Sequence, residues 1–134
     1  MIPRTTREVA ETIGHAFESG DWKALTAGLA GDAVMFGTVG GIDEGLVMRG
    51  RDAVVEYLLD VTQTWGRLDV AVEAIYDAGD VAVVFLRETA RSTHSDVPIE
   101  SETATLARIR DGEVVELRGY MDREAALEAA GITP

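Results

Sequence analysis

ATLARIRDGEVVELRGYMD, residues 104–122, reads as two strands joined at Asp111-Gly112 and followed at once by a helix. Alternate side chains of a strand point to opposite faces. In the second strand Val115, Leu117, Gly119 and Met121 are apolar or small, so they should look inward. Val114, Glu116, Arg118 and Tyr120 are mixed and mostly polar. In the first strand Arg108 and Arg110 share a face and must look out, which leaves Thr103, Thr105, Ala107 and Ile109 inward. Directly opposed residues of an antiparallel pair lie on one face. A two-residue loop would oppose Arg108 and Val115, which conflict. A three-residue loop, Arg110-Asp111-Gly112, opposes Ile109 to Glu113 and Thr105 to Leu117, so the pattern predicts that loop with a glycine bulge. The inward face, with two threonines, a glycine and a methionine, is softer than a packing core and suits a pocket wall.

The chain has 134 residues, enough for one domain with a sizeable core, expected to span residues 1–134. A formal charge of -12 argues against nucleic acid and against anionic membrane surfaces as partners. The longest clear apolar run, Val81–Leu86, is far short of a membrane span. The start, MIPRTTREVAETI, lacks an apolar signal core and looks like a helix entrance, so a cytoplasmic location is the simplest expectation. Without cysteine there is no disulfide, thiolate chemistry or zinc–cysteine site.

Outward from the hairpin, Thr5-Thr6-Arg7-Glu8 forms a capping box ahead of a helix with Val9, Ile13, Ala16 and Phe17 on one stripe and Gly20 at its end. His15 lies off that stripe and is expected in solvent. Asp21 caps a short helix, Trp22 to Leu29, with Trp22 in the core. Asp32 to Thr38 is a strand. The loop that follows, VGGIDEGLVMRG, is glycine-rich but no phosphate cradle, because it lacks a Gly-Lys-Ser/Thr ending and carries Asp43 and Glu44. Two carboxylates are too few for a hard-cation site, so neither metal nor cofactor is expected. The loop reads as a solvated flap over a pocket mouth. Arg51 to Trp65 is the longest helix, stopped by Gly66, with Val54, Leu58, Val61 and Trp65 buried and Tyr57 at the stripe's edge. Strands follow at Leu68–Tyr76 and Val81 to about Arg91, and a polar connection holding His94 leads to the hairpin. Val81–Arg91 is apolar on both faces near its start and should be a central strand covered twice. Either Arg87 or Glu88 therefore points inward, and parity alone does not choose. Asp122 caps the last helix, Arg123–Ala130. Helices grouped ahead of an antiparallel sheet make the fold α+β.

Four strings carry a resemblance that spans most of the chain: Ser19-Gly20-Asp21-Trp22, Met48-Arg49-Gly50-Arg51-Asp52-Ala53, Ala78-Gly79-Asp80-Val81-Ala82-Val83, and Arg110-Asp111-Gly112-Glu113-Val114-Val115-Glu116. In that order they resemble the cone-shaped superfamily of nuclear transport factor two, in its SnoaL-like and ketosteroid-isomerase-like branch. The resemblance implies a curved antiparallel sheet wrapped around the long helix, with two N-terminal helices, a short C-terminal helix, a deep apolar pocket and a homodimer. The catalytic positions carry over unevenly. The isomerase base falls on Gly37, and its oxyanion-hole tyrosine and protonated aspartic acid fall on Ile13 and Thr105. The arginine of limonene epoxide hydrolases is kept as Arg87, but its carboxylate companions fall on Thr89 and Gly119. The acid/base aspartate of SnoaL-type cyclases also falls on Gly119.

The resemblance therefore implies that Phe85, Arg87 and Thr89 face in, giving a pocket of Phe17, Met35, Tyr57, Phe85, Arg87, Thr105, Leu117 and Met121. An inward guanidinium needs an acidic partner or an anionic ligand. The implied activity is cyclisation or isomerisation of a hydrophobic, polycyclic or polyketide-like substrate, or epoxide-hydrolase-like chemistry. Arg87 would hold an oxyanion and Tyr57 would donate or shuttle a proton, with Asp43, Glu44 or Glu88 left to supply the base. The alternatives are a module that binds an apolar acid without turnover and a dimeric interaction domain with a vestigial pocket.

Overall fold

The computed structural model describes residues 4–64, 67–91 and 97–133; Trp65, Gly66 and His94 lie outside them. The described residues form α1 (Thr6–Ser19), α2 (Trp22–Gly28), β1 (Leu29–Val39), β2 (Val47–Arg49), α3 (Arg51–Thr64), β3 (Arg67–Ala78), β4 (Val81–Arg91), β5 (Ile99–Arg110), β6 (Glu113–Tyr120) and α4 (Arg123–Ala130). The helix starts are set locally. The Thr5 hydroxyl accepts the Glu8 N–H at 3.1 Å while the Glu8 carboxylate accepts the Thr5 N–H, also at 3.1 Å. Asp21 accepts the Ala24 N–H, and Asp122 accepts those of Glu124 and Ala125. Each bond satisfies an amide that the first helical turn leaves unpaired. His15 is exposed and Trp22 is half-buried against the core.

The strands lie in the order β2-β1-β6-β5-β4-β3 in a curved, open sheet. Every pairing is antiparallel except β1 with β6, which run parallel. β2 falls within the segment expected from sequence to be loop. Three residues with only Met48 half-buried are too short to show an alternation. The β5–β6 hairpin also departs from expectation. Its loop is two residues, Asp111 at φ 52 and Gly112 at φ 78, the backbone of a type I′ turn. The facing conflict that would forbid this turn in an unbroken ladder is removed inside the strand. Ile109 opposes Val114, Arg108 opposes Glu116, and Val115 is left over as a bulge. Val114 is therefore the buried residue instead of Val115, and Thr105 opposes Gly119 while Ala107 opposes Leu117.

Two cores sit on opposite faces of this sheet. On one, Val9 and Ile13 of α1, Leu25 of α2, and Val54 and Leu58 of α3 pack on Ala82, Val84 and Leu86 of β4, Ala107 and Ile109 of β5, and Leu117 of β6. On the other, Ala126 and Leu127 of α4 pack on Val81, Val83, Ala104, Leu106 and Tyr120. Val81 to Val84 are all buried, as a strand covered twice requires. β1, β4 and β6 finish, and β3 and β5 begin, at one end of the sheet. The β1–β2 loop also lies there, while the Glu18 carboxylate in the last turn of α1 accepts the Val72 N–H at 2.9 Å midway along β3.

Candidate functional site

The face covered by α1–α3 is called the helical face below, and its partner the α4 face. β4 parity assigns Ala82, Val84, Leu86, Glu88 and Ala90 to the helical face, and Val81, Val83, Phe85, Arg87 and Thr89 to the α4 face. This reverses the expected direction of Phe85 and Arg87. Phe85 packs against Tyr76 with ring centroids 5.0 Å apart, and the Arg123 guanidinium lies 4.8 Å from its ring centre. Arg87 donates to Glu73 at 3.2 Å and to Glu102 at 2.8 Å. Arg123 donates to Glu73 at 2.6 Å and to the main-chain carbonyls of Leu86 and Thr103. The reason for the reversal is electrostatic. The guanidinium must have acidic partners, Glu102 stands directly across the ladder from Arg87, and a bulge in β3 at Glu73 brings the second. The two arginines hold the Glu73 carboxyl below its usual range, Arg123 most strongly.

Glu88 is thus the ionisable residue of β4 on the helical face. It opposes Val70 of β3 and Ser101 of β5, and is half-buried. Among the described residues no hydrogen bond or ion pair engages its carboxyl, and burial pushes the group above the ordinary carboxylate range.

A second group at the same end joins the β1–β2 loop to α3. The Tyr57 hydroxyl donates to Asp43 Oδ2, and the Thr38 N–H donates to Asp43 Oδ1 at 3.2 Å. Burial, and next the hydrogen bond to Asp43, raise the Tyr57 phenol well above its ordinary value. Two glycines make room for this arrangement. A Cβ on Gly37 would lie 1.8 Å from the Asp43 carbonyl oxygen, so the loop main chain rests where a side chain would stand. Gly37 also donates its N–H to the Leu46 carbonyl at 2.9 Å. A Cβ on Gly119 would meet Thr38 Oγ1 at 2.7 Å. Of the two loop carboxylates, Asp43 turns in and Glu44 is exposed.

The remaining expected residues divide. Phe17, Met35 and Tyr57 pack at the border of the helical-face core, Leu117 lies within it, and Thr105 is buried on the same face. Met121 is 44% exposed beyond the end of β6, its side chain facing Gly40. Tyr57 and Arg87, expected to act together, are on opposite faces. Asp43 is not the solvated loop residue that the sequence suggests. The signal for its placement is Gly37, since a glycine inside a strand marks close backbone approach. The helical face thus offers a carboxyl prone to hold a proton, a phenol–carboxylate pair and apolar walls, a set suited to proton transfer.

The family model for the SnoaL-like domain matches residues 9–117. A Catenulispora acidiphila protein with a ketosteroid isomerase-like fold, solved with trimethylamine, is 22% identical, with 96% of each chain covered and a TM-score of 0.74. IdmH from Streptomyces antibioticus, a candidate polyketide cyclase, is 21% identical over 96% of this chain and 100% of its own, at 0.73. TerC, co-crystallised with polyporic acid, is 20% identical over 94% and 98%, at 0.74. At these identities the likeness establishes the fold alone. No curated protein matches in sequence.

Proposed function

The chain belongs to the SnoaL-like domain family, and from that premise we propose that it is an enzyme that isomerises or cyclises a hydrophobic, polycyclic or polyketide-like carbonyl compound on the helical face. The observation that supports this reading is Glu88. Its carboxyl has no hydrogen-bond or ion-pair partner among the described residues, and burial raises its pKa, the direction in which a carboxyl becomes able to exchange a proton with substrate. Structural neighbours that include a candidate polyketide cyclase and a protein co-crystallised with polyporic acid lend general support. The reading drops Arg87 as the group that holds an oxyanion, and assigns proton exchange to Glu88, one of the three carboxylates that the sequence leaves as candidates for the base. It also disfavours a module for apolar acids, since Arg87, the cation expected to anchor the acid, is engaged by Glu73 and Glu102 on the α4 face. A homodimer in the cytoplasm remains part of the proposal, on the family resemblance. Among the described residues no helix is long and apolar enough to cross a membrane.

The test needs no knowledge of the natural substrate. Abstraction of a proton beside a carbonyl shows as deuterium uptake from D2O into polycyclic ketones such as 2-tetralone. The wild-type chain is expected to accelerate uptake, and Glu88→Gln to lose about 100-fold or more of that rate. No acceleration over buffer across the ketone panel, or an undiminished rate in Glu88→Gln, overturns the proposal.

A further inference from the structure

The sequence casts Tyr57 as a proton donor, and the structure places its proton elsewhere. A phenol has one O–H to give and can accept through the remaining lone pairs of its oxygen. Tyr57 gives its proton to the carboxylate of Asp43. A carboxylate is a stronger acceptor than a neutral ligand carbonyl, so a ligand carbonyl does not win that proton. Asp43 cannot swing away freely. Its other oxygen accepts the Thr38 N–H, its main chain sits on Gly37, and its carbonyl accepts the Leu46 N–H at 3.1 Å. Among the described residues no donor reaches the phenol oxygen, which lies at the border of the helical-face core.

We infer that Asp43 is a positioning residue that turns Tyr57 into a hydrogen-bond acceptor, so that the ligand of this face presents an O–H group (an alcohol, phenol or enol) to the Tyr57 oxygen. The inference rests on the small-molecule reading above and specifies its substrate class. An analogue without the O–H leaves the half-buried Tyr57 oxygen without a donor, a loss that sites discriminate against more sharply than missing apolar contact.

The experiment compares binding of 2-naphthol and 2-methoxynaphthalene, two probes of one shape that differ in the O–H. Dissociation constants are measured for wild type, Asp43→Ala and Tyr57→Phe. The wild type is expected to favour the naphthol, and that preference ratio should fall about tenfold in each variant, the worth of one neutral hydrogen bond. In Asp43→Ala the freed phenol proton can now be given to the ether, while Tyr57→Phe removes the acceptor altogether. A change in ratio is not produced by general loss of stability, which weakens both probes alike. If either variant folds and keeps the wild-type ratio, Asp43 does not orient Tyr57 toward a ligand. Should Asp43→Ala fail to fold, Tyr57→Phe decides alone. Equal binding of both probes by the wild type overturns this inference and leaves the small-molecule reading standing; no binding of any probe removes both.

Discussion

The two faces of the sheet treat charge in opposite ways. On the α4 face Arg87, Arg123, Glu73 and Glu102 meet opposite charges, main-chain carbonyls and an aromatic ring. That face is electrostatically closed and ties α4 to the sheet. On the helical face Glu88 has no partner among the described residues, and Tyr57 is tied to Asp43 through a loop that requires a side-chain-free residue at position 37. One sheet thus carries a face whose charges are paired and a face that keeps an unpaired, half-buried carboxyl. Partial burial without a partner raises the pKa of a carboxyl, so the face that keeps one is where a functional reason is to be sought.

The largest expected effect breaks the satisfied face. Arg123→Ala removes the cation shared by Glu73 and Glu102, the donors to the Leu86 and Thr103 carbonyls, and the cover of the Phe85 ring. A loss of about 2–3 kcal/mol is expected in urea unfolding, with the midpoint moving and the slope unchanged. A variant as stable as wild type would mean that the α4 network is ornamental.

Next is Gly37→Ala, aimed at the seat of the loop. The added methyl cannot share space with the Asp43 carbonyl, and the atoms in its way belong to the main chain and do not rotate aside. About 1–3 kcal/mol is expected to be lost, together with the Tyr57–Asp43 bond. Tyrosine titration followed by ultraviolet absorbance reads the second loss: a phenol now raised in pKa by burial and Asp43 should ionise at lower pH in the variant. Unchanged titration would show that the bond survives without the seat.

Smaller, and opposite in sign, is Glu88→Gln. The folded-state pKa of Glu88 lies above its unfolded value, so the native state holds this proton more tightly than the unfolded chain. Relative to its unfolded state, the group's contribution is fully present below the unfolded pKa and is lost as pH rises through the folded one. The neutral glutamine escapes that loss. Glu88→Gln should therefore melt a few degrees above wild type at about pH 8, and the gap should close toward about pH 4. A variant less stable than wild type at the higher pH would reveal a partner that holds the carboxylate.

These contrasts also mark what the sequence discloses. The caps at Thr5, Asp21 and Asp122 are legible because each depends on residues a few positions apart, and the doubly covered β4 shows in its unbroken apolar start. Parity cannot choose between Arg87 and Glu88, because Val81 to Val84 are buried on both faces and erase the alternation. The deciding facts are long-range: Glu102 opposite Arg87, Ser101 opposite Glu88, and a bulge that brings in Glu73. The resemblance points the other way, since it carries over an inward arginine without the carboxylates that accompany it. The hairpin teaches the same lesson at shorter range. Its two-residue turn is forbidden only to an unbroken ladder, and the bulge at Val115 breaks the ladder. Asp43 belongs with these, since its inward turn depends on how a loop lands on a strand.

The smallest expected effect is the one that separates the faces most cleanly. Arg87 is 38% exposed and its two ion pairs are with half-exposed or exposed glutamates. Pairs of that kind are screened by solvent and salt and contribute little. Removing Arg87 leaves Glu73 still paired with Arg123 at 2.6 Å, and Glu102 with the same guanidinium at 3.6 Å, so no carboxylate is stranded. Arg87→Met should accordingly melt close to wild type in moderate salt, bind hydrophobic probes unchanged and retain the full rate of deuterium uptake into ketones. Loss of uptake in a folded Arg87→Met would carry the influence of the α4 face through the sheet to Glu88. The division between a satisfied face and a working one would then have to be given up.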